Sequence, residues 1–486
     1  MHEIGKILVI GGGPAGLGAA WALQEAGYTD WELFEKDSRV GGLASSYVDE
    51  NGFTWDLGGH VVFSHYDVFE AVLDSLLGPE WVPHVREAWV WIRGRFIPYP
   101  LQNNLRYLPA AELSECLQGL REARAHAVQA PPATFADWIQ QNFGAGLARV
   151  FLDPYNRKVW ATDPARMSAQ WVAERVAPAD LDGVLRRLAE GQDDVSWGPN
   201  ATFRFPLHGG TGRIWSTLAG RLPPDRIHLG REVTGIDGKT KVAHFHDGGA
   251  ARYDWLITTM PLDLLLNRIA DCGLRIADLC RGSNPKSEIR NPPSVTHPLR
   301  YVGMHVIGVG MEGPVPEPLA TKCWIYFPEP ELPFYRVTVF SNYSPNNVPH
   351  PGRQWSLLAE GSESGAGGRE DWTSDEVIRR TLVGLRGVGL IPAGTVIRST
   401  WHRRIERAYP VPLLERDALL DTIEPWLRSH HILSRGRFGA WKYEVGNMDH
   451  SFMQGVEAVR HLLWDAPETT LRSPAAVNSR QPAGQR

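Results

Sequence analysis

The chain has little cysteine and no long apolar run. Only four of its 486 residues are cysteine (Cys116, Cys272, Cys280 and Cys323), and they are scattered without a CxxC pair. This spacing is typical of a reducing compartment and contains no metal-binding motif. No apolar run approaches the ~20 residues of a membrane span, and the chain begins on a predicted strand instead of a basic and apolar leader. We therefore expect a cytoplasmic protein with no metal site and no membrane span.

A large excess of charge of one sign is also missing. The formal net charge is −5, from 50 basic and 55 acidic residues, and this balance predicts no nucleic-acid partner. The chain is too long for one simple core, so we expect about two or three domains.

The N-terminus does contain the pattern of a dinucleotide-binding turn. Apolar residues 6–10 predict a strand, a GxGxxG turn follows, and a helical pattern comes next. In such a turn the glycines allow a sharp bend, close approach of a pyrophosphate and packing of helix on strand, and the helix N-terminus favours phosphate. Glu35 ends a second predicted strand, where its carboxylate can accept from a ribose hydroxyl. The predicted turn residues in contact with the cofactor are Gly11, Gly13, Pro14, Ala15 and Gly16.

The sequence after Glu35 indicates FAD in place of NAD. The stretch RVGGLA at 39–44 resembles the large flavoprotein group that includes the amine oxidases, in which the arginine and the glycines lie near the flavin diphosphate. Near the other end, GRFG at 436–439 and GNMD at 446–449 precede a second helical pattern, whose N-terminus is expected to meet the flavin from the opposite side. The cofactor contacts that follow are Arg39, Gly41, Gly42, Leu43, Val233, Arg437, Gly446, Asn447, Asp449 and Ser451.

Three further blocks are GGHVVFSHY at 58–66, PYNRKVW at 154–160 and WGPNATFRFP at 197–206. In sequence and in order, these blocks resemble the UDP-galactopyranose mutases of the eukaryotic type. The resemblance covers nearly everything from 7 to 463. It implies an isomerase that interconverts UDP-galactopyranose and UDP-galactofuranose without net redox change. In that family N5 of reduced FAD is the nucleophile on the anomeric carbon, and NADPH or another reductant activates the flavin.

The same resemblance implies roles for individual residues. Gly58, Gly59 and His60 lie against the flavin, with His60 hydrogen bonding near N5, and Phe63 walls the sugar. His60, Arg175 and Arg336 are the implied catalytic residues. The implied diphosphate clamp is Arg175, Arg336, Tyr326, Tyr409 and Tyr443, and Asn200 and Asn447 orient the sugar hydroxyls or the diphosphate. The implied uridine pocket is Gln102, Phe151, Tyr155, Asn156 and Trp160.

Taken singly, such residues have ordinary explanations. A lone arginine is more often part of a surface ion pair, a lone histidine is usually structural, and Trp160 would be core packing in a chain with 19 tryptophans. Three other functions stay open. One is a related mutase for another nucleotide sugar, and another is an oxidase or dehydrogenase of the amine oxidase type, with an aromatic cage in place of the arginines. The third is an FAD-containing nucleotide-sugar sensor without turnover.

The predicted fold is α/β, with a Rossmann-like FAD-binding domain that is discontinuous in sequence. We assign residues 1–66, 205–275 and 430–465 to this domain, 67–204 to an inserted, mainly helical substrate domain, and 299–429 to an antiparallel sheet over the flavin. A β-hairpin is predicted at 89–99, with its turn at Arg93 and Gly94. Residues 281–298 are predicted to be a surface insertion, and 466–486 a flexible tail. The oligomeric state is left open.

Overall fold

The computed structural model describes residues 4–125, 131–172, 175–195, 198, 200–270, 299–363 and 372–480. The predicted insertion at 281–298 lies outside these ranges. In chain order the strands are β1 (Ile7–Ile10), β2 (Trp31–Phe34), β3 (Ser46–Val48), β4 (Thr54–Asp56), β5 (Trp81–Val85), β6 (Ala88–Ile92), β7 (Arg95–Pro98), β8 (Thr202–Pro206), β9 (Ile227–His228), β10 (Val233–Asp237), β11 (Val242–Phe245), β12 (Ala250–Arg252), β13 (Trp255–Thr258), β14 (Ile269–Ala270), β15 (Tyr301–Glu312), β16 (Trp324–Tyr326), β17 (Arg336–Val339), β18 (Gln354–Ser362), β19 (Ile397–Pro410) and β20 (Ile432–Ser434).

None of the helices in the described ranges is both long and apolar enough to cross a membrane. In chain order the α-helices are α1 (Pro14–Glu25), α2 (Asp67–Leu77), α3 (Ala110–Ala125), α4 (Phe135–Leu147), α5 (Asp153–Trp160), α6 (Leu181–Glu190), α7 (Gly212–Gly220), α8 (Leu262–Arg268), α9 (Phe340–Tyr343), α10 (Ser374–Gly387), α11 (Arg416–Ser429), α12 (Met448–Trp464), α13 (Thr469–Arg472) and α14 (Pro474–Asn478).

A five-stranded sheet carries the glycine turn. Its order is β20-β13-β1-β2-β9, and all neighbours are parallel. β1 is central and fully buried, as expected for an all-apolar strand of a covered parallel sheet. Helices α1 and α12 pack closely against each other. Gly455 in α12 permits this approach, since a Cβ there would lie only 1.9 Å from the Ala15 carbonyl oxygen in α1. This contact brings the N-terminal halves of the two helices side by side.

A seven-stranded sheet forms the second layer. Its order is β19-β15-β18-β17-β16-β6-β7, and its neighbours are antiparallel except for β6 and β16. β6 and β7 are the predicted hairpin, and Arg93 (φ 54°) and Gly94 (φ 70°) form its left-handed turn, so that prediction is confirmed. These strands lie within the range 67–204, so this mainly helical range also contributes to the sheet. The domain boundaries themselves stay a prediction.

Residues 466–480 are folded, which corrects the prediction of a flexible tail over this range. They contain α13 and α14, in which Thr470 and Val477 are fully buried. The segment has few apolar residues, which is why its sequence looks disordered. It is held mainly by polar contacts instead, and Glu468, also buried, binds Arg435 and Arg428.

Candidate active site

A cavity of about 700 Å³ opens over the carboxyl end of the parallel sheet. It extends from Glu35 and the glycine turn to His60. This is the edge at which open α/β sheets bind their ligands. The predicted cofactor residues on its walls are Gly11, Gly13, Pro14, Ala15, Glu35, Gly42, Leu43, His60, Val233, Arg437, Gly446 and Ser451.

The residues of this cavity fit a dinucleotide such as FAD. Helix α1 follows Gly13 and α12 follows Asn447, and in the described chain neither N-terminus has a side-chain cap. Two sets of uncapped N–H groups therefore attract a diphosphate. The loops that contain Gly13 and Gly42 approach each other closely. A Cβ at Gly42 would lie 3.3 Å from the Cα of Gly13, so a side chain there would be crowded. Glu35 accepts from the Gly12 amide at 2.6 Å and retains lone pairs for a ribose hydroxyl.

Gly16, Gly41 and Arg39, also predicted to contact the cofactor, do not line the cavity, and the two glycines instead support the turn. A Cβ at Gly16 would lie 1.8 Å from the Gly11 carbonyl oxygen, so Gly16 permits the helix to pack on the strand. Gly41 has φ 113° and donates from its amide to the Gly12 carbonyl at 2.8 Å. The Arg39 guanidinium stacks on the Tyr47 ring, 4.5 Å from its centroid. Their direct contacts with a cofactor stay a prediction.

A second cavity, of about 270 Å³, meets the first at His60. Leu43, Ile405, Arg437 and Met448 also border both cavities. Residues from far-apart parts of the chain therefore face one space. Those that the sequence predicted are Leu43, Gly58, Gly59, His60, Phe63, Arg175, Asn200, Tyr326, Arg336, Tyr409, Arg437, Tyr443, Asn447 and Asp449.

His60 lies in the loop between β4 and α2. Its amide donates to the Gly58 carbonyl at 2.8 Å, and its Nδ1 is buried without a partner among the described residues. Burial, together with the positive charges of Arg437 and Arg336, lowers the pKa of His60 to about 3. The imidazole is therefore neutral at physiological pH, and it can donate one hydrogen bond and accept another.

Arg336 is fixed by a buried counterion. It lies on β17 directly opposite Glu360 on β18, and its Nε and Nη2 donate to the two Glu360 oxygens at 2.5 and 2.7 Å. Burial favours the neutral guanidine, but the charge of Glu360 outweighs it, and the pKa of Arg336 is raised well above its ordinary value. This paired geometry orients the guanidinium on the cavity wall.

Arg175 is held more loosely. Its Nη2 donates to the Tyr443 carbonyl at 3.3 Å, and its guanidinium lies 5.2 Å from the centroid of the Tyr443 ring. The Nη1 atom is buried with no partner in the part of the chain that the structure describes. Since Arg175 borders the cavity, it can offer a donor to an anionic ligand there.

Tyrosines form the wall between the arginines. The Tyr409 and Tyr443 rings meet edge to face with centroids 5.7 Å apart, and Tyr326 contacts the Tyr155 ring edge-on at 5.3 Å. Burial raises the pKa of Tyr326 and Tyr409, so both keep their hydroxyl proton. Each hydroxyl can therefore donate to a diphosphate oxygen.

The five residues predicted for uridine do not line either cavity. Trp160 is 2% exposed and packs edge-on against Tyr443 at 4.7 Å, and Phe151 stacks on Tyr155. The amide of Asn156 donates to the Leu152 carbonyl at 2.8 Å, and that of Gln102 to the Ala177 carbonyl at 2.7 Å. They form a layer behind the tyrosines, and their contact with a base stays a prediction.

Asp449 belongs to a buried group of polar side chains. His65 Nδ1 lies 2.8 Å from its Oδ2, and the rings of His65 and His450 stack 4.8 Å apart. Burial raises the pKa of Asp449, but the neighbouring histidines lower it by more, and the resulting pKa is about 2. These three residues are the one group in the described chain with ligand atoms close enough for a metal ion. Hydrogen bonds explain why these side chains lie together. His65 bonds to Asp449, and His450 Nδ1 lies 2.9 Å from the Tyr66 hydroxyl.

The family model "Flavin containing amine oxidoreductase" matches residues 14–463. The chain belongs to this family. A crystal structure of a reduced UDP-galactopyranose mutase superposes on this flavin amine oxidoreductase with a TM-score of 0.90, at 45% identity over 98% of each chain. The α/β fold and the family resemblance predicted from the sequence are thereby confirmed.

More distant similarities are found both in structure and in sequence. A CLA-producing fatty acid isomerase from P. acnes has a TM-score of 0.62 at 15% identity, over 95% of this chain and all of its own. A protein from Dictyostelium discoideum, described as a probable flavin-containing monoamine oxidase A, is 24% identical over 54% of this chain and 58% of its own. A chloroplastic protoporphyrinogen oxidase from Oryza sativa subsp. japonica is 26% identical over 38% of this chain and 37% of its own. The chain thus spans less than two thirds of these last two relatives.

Two charged wall residues of the second cavity in this amine oxidoreductase, Arg86 and Glu360, were not predicted from its sequence. Arg86 donates to Asn200 Oδ1 at 2.6 Å and lies 5.6 Å from the centroid of the Tyr99 ring. Nothing in its local sequence distinguishes it from a surface arginine. Glu360 did carry a signal, because it is the one charged residue in the buried strand β18, and a lone buried carboxylate requires a cation.

Proposed function

We propose that the chain is an FAD-dependent mutase that interconverts UDP-galactopyranose and UDP-galactofuranose without net redox change. The observation that carries this proposal is the second cavity, in which Arg175, Arg336 and three tyrosines face a space that meets the cofactor cavity at His60. A diphosphate leaving group requires such fixed cations and hydroxyl donors. The 45% identity with a structure described as UDP-galactopyranose mutase supports the same substrate.

The residues of the first cavity would hold FAD. The diphosphate would lie at the N-termini of α1 and α12, a ribose hydroxyl at Glu35, and the ring system toward His60. When bound in its reduced form, the flavin supplies a nucleophilic nitrogen, N5, for the anomeric carbon. The rest of the chemistry is positioning and charge stabilisation by the protein.

The arginines have separable roles in this proposal. Arg336, held by Glu360, presents a preorganised cation to the diphosphate. Arg175 supplies its unpartnered Nη1, and Tyr326 and Tyr409 donate hydrogen bonds from their hydroxyl groups. Because the diphosphate must stay close until it is attached again, these groups act as a clamp that binds without reacting. His60 is neutral, so it orients groups by hydrogen bonding and does not act as an imidazolium acid.

The aromatic wall with arginines favours a nucleotide sugar over an amine. An oxidase of the amine oxidase type would consume oxygen or desaturate its substrate. The proposal also includes galactose as the sugar, NADPH or another donor as the reductant, a cytoplasmic location and a possible oligomer. Cys116 and Cys323 are buried and unpaired within the described residues, which supports the reducing compartment.

One assay tests the proposal. Holoenzyme with UDP-galactofuranose, in dithionite or NADPH under nitrogen, is expected to produce UDP-galactopyranose, with reductant needed only in catalytic amounts. Oxidised enzyme in air is the matched control and should be inactive. Product in proportion to reductant or oxygen would indicate an oxidoreductase. Tight UDP binding with no product from any UDP-hexose or UDP-pentose would indicate a sensor.

A further inference from the structure

Residues 466–480, the C-terminal segment, contact the loops that carry the wall residues of both cavities. Glu468 accepts from Arg435 Nε at 2.5 Å and Nη2 at 2.8 Å. Arg435 is 1% exposed and directly precedes Gly436 and Arg437, which line the cofactor cavity. The segment is therefore bound to the first residue of this loop by a buried, charge-assisted contact.

The second contact reaches the loop that contains Tyr443. Asn478 Nδ2 donates to the Glu444 carbonyl at 3.0 Å. The Glu444 carboxylate is in turn bound by two Arg416 nitrogens, each at 2.9 Å. Lys442 Nζ also donates to the Leu471 carbonyl at 3.3 Å. Lys442 and Glu444, the residues on both sides of the cavity-lining Tyr443, are thus bound to the C-terminal segment, and Glu444 also to Arg416.

The third contact reaches the loop 58–66. Thr470 Oγ1 lies 2.8 Å from the Tyr66 hydroxyl, and both residues are buried. Thr470 also donates to Glu457 Oε1 at 2.9 Å. The single hydroxyl proton of Thr470 is used in that bond, so the Tyr66 hydroxyl donates to Thr470. The direction of the hydrogen bonds is then fixed, and Tyr66 accepts from His450 Nδ1, 2.9 Å away.

Loop 58–66 is also attached through His65, whose amide and Nδ1 lie 3.2 and 2.8 Å from Asp449 Oδ2. Its middle is fixed by an isolated bridge, in which Val62 exchanges backbone hydrogen bonds with Arg204 at 2.9 and 3.1 Å. Tyr66 ends the loop and precedes α2. The bridge therefore holds the loop before Phe63, next to the stretch that carries His60, and the His65 and Tyr66 contacts hold it after Phe63.

We propose that the C-terminal segment positions the active-site loops, with Thr470 holding Tyr66 and, through it, the loop that carries His60 and Phe63. Thr470 and Tyr66 are positioning residues, since neither borders a cavity. Effects on turnover rest on the proposed mutase function. Effects on the bound flavin do not.

The test compares Thr470→Val with Thr470→Ser in the holoenzyme. Valine keeps the volume and removes the hydroxyl, whereas serine restores it. We expect Thr470→Val to retain FAD but to change the visible circular dichroism of the flavin. Its kcat should fall about 5-fold, the order for one lost buried hydrogen bond, with the Kd for UDP within about 2-fold. Thr470→Ser should restore both the spectrum and kcat. Ser479→Ala is the matched control, because this exposed hydroxyl bonds only within the segment, to the Ala476 carbonyl.

Tyr66→Phe removes the hydroxyl that bonds to Thr470. This variant tests the same contact if Thr470→Val does not fold. The losses in kcat of the double variant Tyr66→Phe/Thr470→Val should be less than additive in free energy, because both single variants remove the bond between Tyr66 and Thr470. Each single variant also removes one bond of its own, to Glu457 or to His450. An unchanged flavin spectrum and kcat in the single variants, additive losses, or failure of serine to restore would overturn the proposal. If wild-type enzyme converts no UDP-sugar, the mutase function fails, while the flavin spectra still decide on the positioning role.

Discussion

Arg175 and Arg336 border the same cavity, but only Arg336 has a buried counterion. Arg175→Ala should therefore remove a ligand donor with little effect on the fold. Loss of one charge-assisted contact costs about 2–3 kcal/mol, or roughly 30–150-fold in affinity for UDP-sugar, measured by titration of the flavin absorbance. FAD content should stay normal. Arg157→Ala is the control, since its ion pair with Asp163 is exposed.

Arg336→Ala is expected to act twice. It removes the same kind of contact and also leaves Glu360 as a buried, unpaired carboxylate. Its melting temperature should fall together with its UDP affinity, whereas only affinity falls in Arg175→Ala. Loss of FAD with intact UDP affinity in either variant would contradict the assignment to the substrate side.

His60 is predicted not to titrate near neutral pH. Its folded pKa of about 3 is below the ordinary 6.5, so it contributes stability above about pH 6.5 that is lost as the pH falls toward 3. Proton NMR of substrate-free enzyme, assigned with His60→Asn, should show no His60 titration between about pH 5.5 and 8. A midpoint inside that range would contradict the buried, cation-flanked geometry. His60→Ala should slow turnover more than it weakens UDP binding.

At the scale of elements, Glu468 stabilises the fold of the C-terminal segment. Burial raises the pKa of Glu468, but Arg435 and Arg428 lower it to about 2, so this contribution is present above its ordinary pKa and is lost as the pH falls toward 2. Glu468→Ala leaves Arg435 buried without its main counterion and should cost about 3–5 kcal/mol in denaturant unfolding. Glu424→Ala, which removes an exposed partner of Arg428, should cost under about 1 kcal/mol. Equal losses of unfolding free energy in the two variants would show that the buried ion pair stabilises the fold no more than the exposed one.

The local sequence pattern predicted individual turns and strands well. It did not predict which residues pair across long distances in the chain. The glycine turn and the hairpin at Arg93 are specified by neighbouring residues, so the sequence alone was enough. The pairing of Arg336 with Glu360 depends on the register of two strands, and the fold of residues 466–480 depends on distant arginines. Arg86 gave no local signal, since only its approach to Asn200 across the fold identifies it.

At the scale of the whole molecule, the two cavities are expected to be energetically coupled. UDP affinity should differ between oxidised and reduced holoenzyme by about 5–150-fold, the usual range for coupled sites. Equilibrium titration of each redox form measures this ratio. His60→Ala should reduce it, whereas Arg157→Ala should not. Equal affinity in both forms would mean that the shared wall transmits nothing.

His60, Leu43 and Met448 border both cavities, so a movement of these residues changes the shape of both binding sites. Thermodynamic linkage then requires reciprocity. If reduction tightens UDP binding, bound UDP must raise the midpoint potential of the flavin by the same free energy, about 30 mV for each tenfold change in affinity. The nucleotide sugar would thus make its own enzyme easier to reduce, and activation would follow the supply of substrate as well as the supply of electrons.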